Sequence, residues 1–157
     1  CIRDSTEMGG LLFGLRDRVS LNHDPRQLPE DLSELRFDQD PEGWNVLEEQ
    51  GSELARFFPG MGTTQIAHYV AGPSAYTPDG QFVLGSVPDV EGFYVASGCC
   101  GSGIGASGGD GRAIADLAIE GERGFDLESF RTDRFGRIDA FSPEWRNRCA
   151  NARSVKG

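Results

Sequence analysis

The apolar positions of this chain fall in short bursts separated by proline, glycine and acidic residues. Cys1-Ile2-Arg3-Asp4 and Leu11-Leu12-Phe13-Gly14-Leu15 flank Met8-Gly9-Gly10, a pattern that predicts two strands and a turn. Residues 22–40 are polar, carry Pro25 and Pro29, and read as a surface loop. Pro41 and Glu42 then open a helix, proline being well placed in a first turn. Trp44, Leu47, Leu54, Phe57 and Phe58 mark its apolar side, and Pro59-Gly60 stops it.

The second half alternates faster. Residues 64–72 look like a strand, on which His68 and Tyr69 point to opposite faces. Thr77-Pro78-Asp79-Gly80 is a turn, and Asp79 is expected to stabilise it through its own side chain. Gln81 to Gly85 and Gly92 to Ala96 are two more short strands, split by the Pro88-Asp89 turn. A helix follows from about Ser102 to Ile119, ended by Gly121 and Gly124. Residues 126–157 form a charged tail expected to wrap the surface, with a short helix after Ser142-Pro143 capped by Ser142. The pattern makes the fold class mixed, α/β with α+β character.

Charge narrows the choice of partners. The 157 residues carry a formal net charge of −10, which argues against nucleic acid and against an anionic membrane surface. No apolar run approaches the ~20 residues of a membrane span. Of the four cysteines, Cys99 and Cys100 are adjacent and make a poor chelate and a poor disulfide framework. They point to a reducing, intracellular setting, cytoplasmic or mitochondrial matrix. Cys99, Cys100, His23 and His68 show no metal-ligand spacing, so no metal is expected. The chain opens on Cys1 without an initiator Met, already inside a strand-like run, as a piece of something longer would.

The chemistry concentrates at one loop. Gly103-Ile104-Gly105-Ala106-Ser107-Gly108 spells G-x-G-x-x-G between an apolar strand and a helix. A dinucleotide fingerprint also needs a second apolar strand ending in an acidic residue ~20 positions on. The sequence after Ile119 has no run of valine or isoleucine to form one. Glycines could instead serve only close helix packing, but each costs roughly 1 kcal/mol against alanine inside a helix. A third reading uses the helix start itself. Its free N–H groups and partial positive charge suit an anion, or a carbonyl that gains charge during reaction, such as the pyrimidine edge of a flavin.

Thr77-Pro78-Asp79-Gly80-x-x-Val83-Leu84-Gly85, then Gly92-Phe93-Tyr94-Val95-Ala96-x-Gly98, then the glycine loop and Gly111-x-x-x-Ala115-Asp116-Leu117, resembles the C-terminal part of the FAD-dependent amine oxidoreductases. This is the D-amino-acid-oxidase-like superfamily. Gly72-Pro73-x-x-Tyr76-Thr77 and the tail from Phe125 through Asp133-Arg134-Phe135-Gly136 are more similar to its sarcosine and dimethylglycine dehydrogenase branch. The resemblance implies the second half of a two-domain enzyme: antiparallel substrate-domain strands in residues 1–73, the last strands and helix of the FAD domain in 74–125, and a tail in 126–157. It implies FAD as cofactor, with Cys99, Cys100, Gly101, Ser102, Gly103, Ile104 and Gly105 lying against the flavin ring. Hydride would pass to flavin N5 from a small-molecule amine such as sarcosine or dimethylglycine. The partner would be the missing N-terminal ADP-binding half or another subunit.

Substrate contacts are expected from Arg3, His68, Ser74 and Tyr76. Arg3 could grip a carboxylate bidentately. Ser74 stands where glycine oxidase carries a carboxylate-binding arginine, and Gly101 aligns with a second arginine of that enzyme, so a simple glycine-oxidase chemistry is not expected. No single catalytic residue stands out. The alternative is a non-catalytic subunit or remnant that binds a partner chain and no flavin. A free-standing ADP- or NAD-binding module is the remaining reading. An isolated half should leave sheet edges and apolar surface uncovered.

Overall fold

The computed structural model describes residues 3–7, 10–14, 20–35, 43–68, 72–121 and 124–155. The chain divides into two compact units: Cys1–Ser20 with Arg26–Pro73 and Gly157, and Leu21–Pro25 with Ser74–Lys156. The architecture is mixed α/β, with helices beside two small two-stranded antiparallel sheets.

In the first unit β1 (Arg3–Glu7) pairs antiparallel with β2 (Gly10–Gly14), in a register running from Arg3 opposite Gly14 to Glu7 opposite Gly10. Met8 and Gly9 of the expected turn lie outside the described residues, and Gly10 already belongs to the ladder. The polar segment after it holds 3-10 turns at Pro25–Gln27 and Leu32–Glu34, the second capped by Asp31, whose carboxylate accepts the Ser33 N–H at 2.9 Å.

Helix α1 spans Gly43–Leu54, so the Pro41 and Glu42 expected to open it lie outside the described residues. Its buried side carries Val46 and Leu54, with Leu47 and Gln50 half-buried between them. Trp44, Phe57 and Phe58, expected on that side, are exposed. The reason is angular: 46, 50 and 54 recur every four residues on one face, Trp44 sits well round from it, and Phe57 and Phe58 follow the last helical residue. Both of their N–H groups return to the Leu54 carbonyl at 2.9 Å.

The strand expected over 64–72 does not form in residues 64–68 or at Gly72; residues 69–71 lie outside the described part. Threonine, isoleucine and histidine at alternating positions supply a propensity. A strand also needs a neighbour to take its backbone N–H and C=O groups, and no strand pairs with residues 64–68 among the described residues.

The second unit is built round β3 (Val83–Ser86) and β4 (Tyr94–Ser97), paired antiparallel from Val83 opposite Ser97 to Ser86 opposite Tyr94. Between them Pro88 and Asp89 form a turn closed by the Val90 N–H on the Val87 carbonyl at 3.3 Å. Pro88 takes the first corner and Asp89, at φ 64°, the second, the arrangement of a type II turn. Helix α2 (Gly103–Glu120) packs on both strands and ends at Gly121, φ 75°. Helix α3 (Pro143–Val155) runs 13 residues, longer than the short helix expected. Its start follows the sequence: Ser142 Oγ accepts the Trp145 N–H at 3.2 Å, the Ser142 carbonyl accepts Arg146 N–H at 3.1 Å, and Pro143 occupies the first position. Among the described residues, no helix is long and apolar enough to cross a membrane.

Candidate functional site

Everything distinctive about the second unit converges on the link from β4 to α2. The chain leaves β4 through Gly98 at φ 63° and turns sharply over Cys99–Ser102, where the Ser102 N–H meets the Cys99 carbonyl at 2.9 Å. The two corners, Cys100 at φ 49° and Gly101 at φ 77°, are both left-handed, the pattern of a type I′ turn. Glycine meets this demand at Gly98 and Gly101 without strain, whereas Cys100 carries a Cβ there and needs outside support.

That support is visible. The Cys100 N–H donates to the Ala75 carbonyl at 3.1 Å, and its buried thiol lies 3.5 Å from Thr77 Oγ1 and 3.8 Å from the Gln81 carbonyl. The loop also fits its neighbours closely. A Cβ on Gly98 would come within 2.8 Å of Thr77 Cγ2, one on Gly101 within 2.8 Å of Tyr76 Oη, and one on Gly103 within 3.1 Å of Cys99 Cβ. Tyr76, half-buried, therefore stands against the turn.

The turn delivers the chain into α2. Ser102 caps it without a side-chain hydrogen bond, and the Ala106 N–H bonds back to the Ser102 carbonyl at 3.0 Å. The N–H groups of Gly103, Ile104 and Gly105 precede that first turn and lie at the positive end of the helix. Beyond them the surface is bare: a Cβ on Gly105, Gly108 or Gly109 would meet nothing within 4 Å. Ile104 is 92% exposed, an apolar side chain standing in the open beside this backbone.

The turn preceding β3 anchors the other side. The Gly80 N–H closes on the Thr77 carbonyl at 3.1 Å. Asp79 Oδ1 accepts from the Gln81 N–H at 3.0 Å and from Thr77 Oγ1 at 2.9 Å, so the side chain stabilises its own turn as expected. It also does something sequence reasoning missed: Arg134, 55 positions on, grips the Asp79 carboxylate with Nε at 2.9 Å and Nη2 at 3.1 Å. Partial burial acts to raise the Asp79 carboxyl, but the hydrogen bonds from Arg134, Gln81 and Thr77 together outweigh it and hold the group down at about 2. The folded state thus gains stability that is complete above the ordinary value of 3.8 and disappears as pH falls through about 2. Acid titration followed by urea unfolding should show a loss of about 1 kcal/mol across that window, after allowance for screening of a carboxylate that is 37% exposed. Asp79→Asn should remove that slope.

The expected site residues separate into two groups. Cys99 and Gly101 through Gly105 follow one another with Tyr76 against Gly101, Cys100 is buried among them, and Ser74 is exposed two residues before Tyr76. Arg3 opens β1 and His68, exposed and outside any strand, lies near the end of the first unit. Nor does the fingerprint reading gain a second strand: the described residues after α2 run into a 3-10 turn at Glu128–Phe130, and β4 pairs antiparallel with β3. Among the described residues the glycines thus lack the parallel βαβ frame of a pyrophosphate site. Their bare, N–H-bearing face fits the edge of a flat ring carrying carbonyl oxygens.

The chain is 27% identical over 133 residues to the mitochondrial pyruvate dehydrogenase phosphatase regulatory subunit of Mus musculus, covering 84% of this chain and 15% of that protein. It is 28% identical over 109 residues to mitochondrial sarcosine dehydrogenase of Homo sapiens, covering 69% and 12% respectively. It is 29% identical over 136 residues to mitochondrial dimethylglycine dehydrogenase of Mus musculus, covering 83% and 15%. The chain thus spans only 12% to 15% of the length of these relatives. No solved structure matches it. The model of the FAD dependent oxidoreductase family matches residues 5–117, most of the chain, and the chain belongs to that family.

Proposed function

We propose that this chain forms the flavin-facing wall of an oxidoreductase that acts on the C–N bond of a secondary or tertiary amine such as sarcosine or dimethylglycine. The observation that carries the reading is the helix start of Gly103 to Gly105, two glycines flanking an exposed Ile104, reached through the turn at Cys99–Ser102. Bound FAD supplies the hydride acceptor. The chain's own part is to hold and polarise it: the N–H groups of Gly103, Ile104 and Gly105 would face the carbonyl edge of the ring and stabilise negative charge there. The Cys100 N–H, bonded to Ala75, supports the turn, and Cys99 and Gly101 would meet the ring as backbone. Tyr76 and Ser74 would wall the pocket beside it, and Arg3 and His68 are separate candidates for substrate contact within the first unit. On this reading residues 1–73 belong to a substrate-binding domain, 74–125 to the FAD domain and 126–157 to its tail. These relatives are named mitochondrial, and a mitochondrial setting would suit this chain too.

One observation favours a second reading. A relative of comparable similarity is named a regulatory subunit. A chain of that kind would keep the fold and bind a partner without turning over an amine.

The intact protein decides between them. Its visible spectrum should show a flavin band that bleaches when sarcosine or dimethylglycine is added without oxygen. Gly105→Ala should weaken FAD binding about tenfold while leaving α2 as stable or more so, since alanine is the better helix former and meets nothing there. A protein that carries no flavin would sink the enzyme reading and leave the regulatory one.

A further inference from the structure

We infer that Arg134 of the C-terminal segment is a positioning residue for the Cys99–Ser102 turn; its bearing on the flavin rests on the function proposed above. The inference stands on a continuous chain of hydrogen bonds. Arg134 is almost buried, at 12% side-chain exposure, and uses its whole guanidinium. Nη1 donates to the Phe130 and Arg131 carbonyls at 3.1 and 2.9 Å, which fixes it to its own segment. Nε and Nη2 hold the two Asp79 oxygens, and Nη2 also reaches the Gln81 carbonyl at 3.2 Å.

Asp79 Oδ1 and the Gln81 carbonyl are the same two acceptors that the Thr77 hydroxyl uses, at 2.9 and 2.6 Å. Arg134 therefore fixes the pair of oxygens that orient Thr77. Thr77 in turn touches the loop twice. Its Oγ1 meets the Cys100 thiol at 3.5 Å, and its Cγ2 fills the space beside Gly98. The Cys100 thiol also donates to the Gln81 carbonyl at 3.8 Å, so Thr77 and Cys100 share that acceptor as well as their mutual contact. These contacts hold Cys100 in a left-handed conformation that a residue with a Cβ seldom adopts. Lysine cannot replace Arg134, because one ammonium cannot span a carboxylate and three carbonyls in a plane.

The test compares amide hydrogen exchange in the intact protein carrying Arg134→Lys, Thr77→Val or both. Each single variant should raise exchange of the Cys100 and Ser102 amides about tenfold, with the interior amides of α2 unchanged, and the double variant should add nothing further. Thr77→Ser, which keeps the hydroxyl, should leave both amides protected, and should Arg134→Lys fail to fold, Asp79→Asn, which removes the ionic partner of the guanidinium, should raise exchange of the same two amides. With FAD bound, the same variants should shift the visible flavin band. Faster exchange confined to Phe130, Arg131 and Gly136, or additive effects in the double variant, would overturn the inference. A protein with no flavin band would sink the cofactor reading alone, because the exchange comparison still decides the role of Arg134.

Discussion

Gly98→Ala should destabilise the protein by about 3 kcal/mol, the sum of two independent costs. A non-glycine residue at φ 63° costs about 1 kcal/mol or more before it meets a neighbour. The added Cβ then lies 2.8 Å from Thr77 Cγ2 and 3.3 Å from Val83 Cγ2. Neither neighbour can move away cheaply. Thr77 is buried and its hydroxyl is tied to Asp79 and Gln81, and Val83 is the first residue of β3, paired with Ser97. Urea unfolding of the intact protein would measure the loss. Gly105→Ala is the internal contrast, because its added methyl enters open space on a helix. Equal midpoints for Gly98→Ala and the parent protein would mean that the link from β4 to α2 is looser than these distances allow.

Where a turn or cap is written in neighbouring residues, the sequence was enough to find it. Thr77-Pro78-Asp79-Gly80 turns because proline suits its first corner and the Asp79 side chain closes on Gln81. Ser142-Pro143 starts α3 for equally local reasons. The glycine loop was legible in the same way, since only its residue types tolerate the positive φ values at Gly98 and Gly101. What depends on partners was not legible. Residues 64–68 have strand-forming side chains and, among the described residues, no strand beside them. The Arg134 clamp joins positions 55 apart, and no spacing rule links them. The one available signal was chemical: an acidic residue fixed in a turn, and an arginine in the Asp133-Arg134-Phe135-Gly136 segment of the tail.

The exposed apolar residues carry the same lesson to the surface. Ile104, Ile119, Phe57 and Val155 stand largely in solvent, more open apolar surface than a self-sufficient domain usually shows. On α2 the outer positions 104, 108, 111, 115 and 118 are all apolar or glycine and all exposed, whereas Ala113 on the opposite side is buried against the sheet. Such a face is consistent with a chain that spans a small part of its relatives' length. It also explains why hydrophobic pattern alone assigns α2 weakly: the inner and outer sides are both apolar, and the helix is marked by its glycine start and its Gly121 stop.

Leu84→Ala should cost about 3 kcal/mol, and its effect should reach the glycine turn. Leu84 is the largest buried side chain of the second unit among the described residues. It sits opposite Ala96 in the β3–β4 ladder, so alanine there would leave two methyl groups facing each other where one was shaped to a leucine. The gap would not close. Beside it, at the Ser86 end of β3, Leu84 already lines a cleft of about 310 Å³ with Pro88, Leu117 and Phe125, and the lost side chain would extend that cleft inward. Leu84→Met, which conserves volume, should cost less than about 1.5 kcal/mol. Because β4 leads directly into Gly98, a loosened ladder should also weaken whatever the turn holds. A flavin retained at full affinity in a Leu84→Ala protein destabilised by the expected amount would separate the turn from the sheet. It would leave the Ala75 and Thr77–Asp79–Arg134 contacts to support the turn.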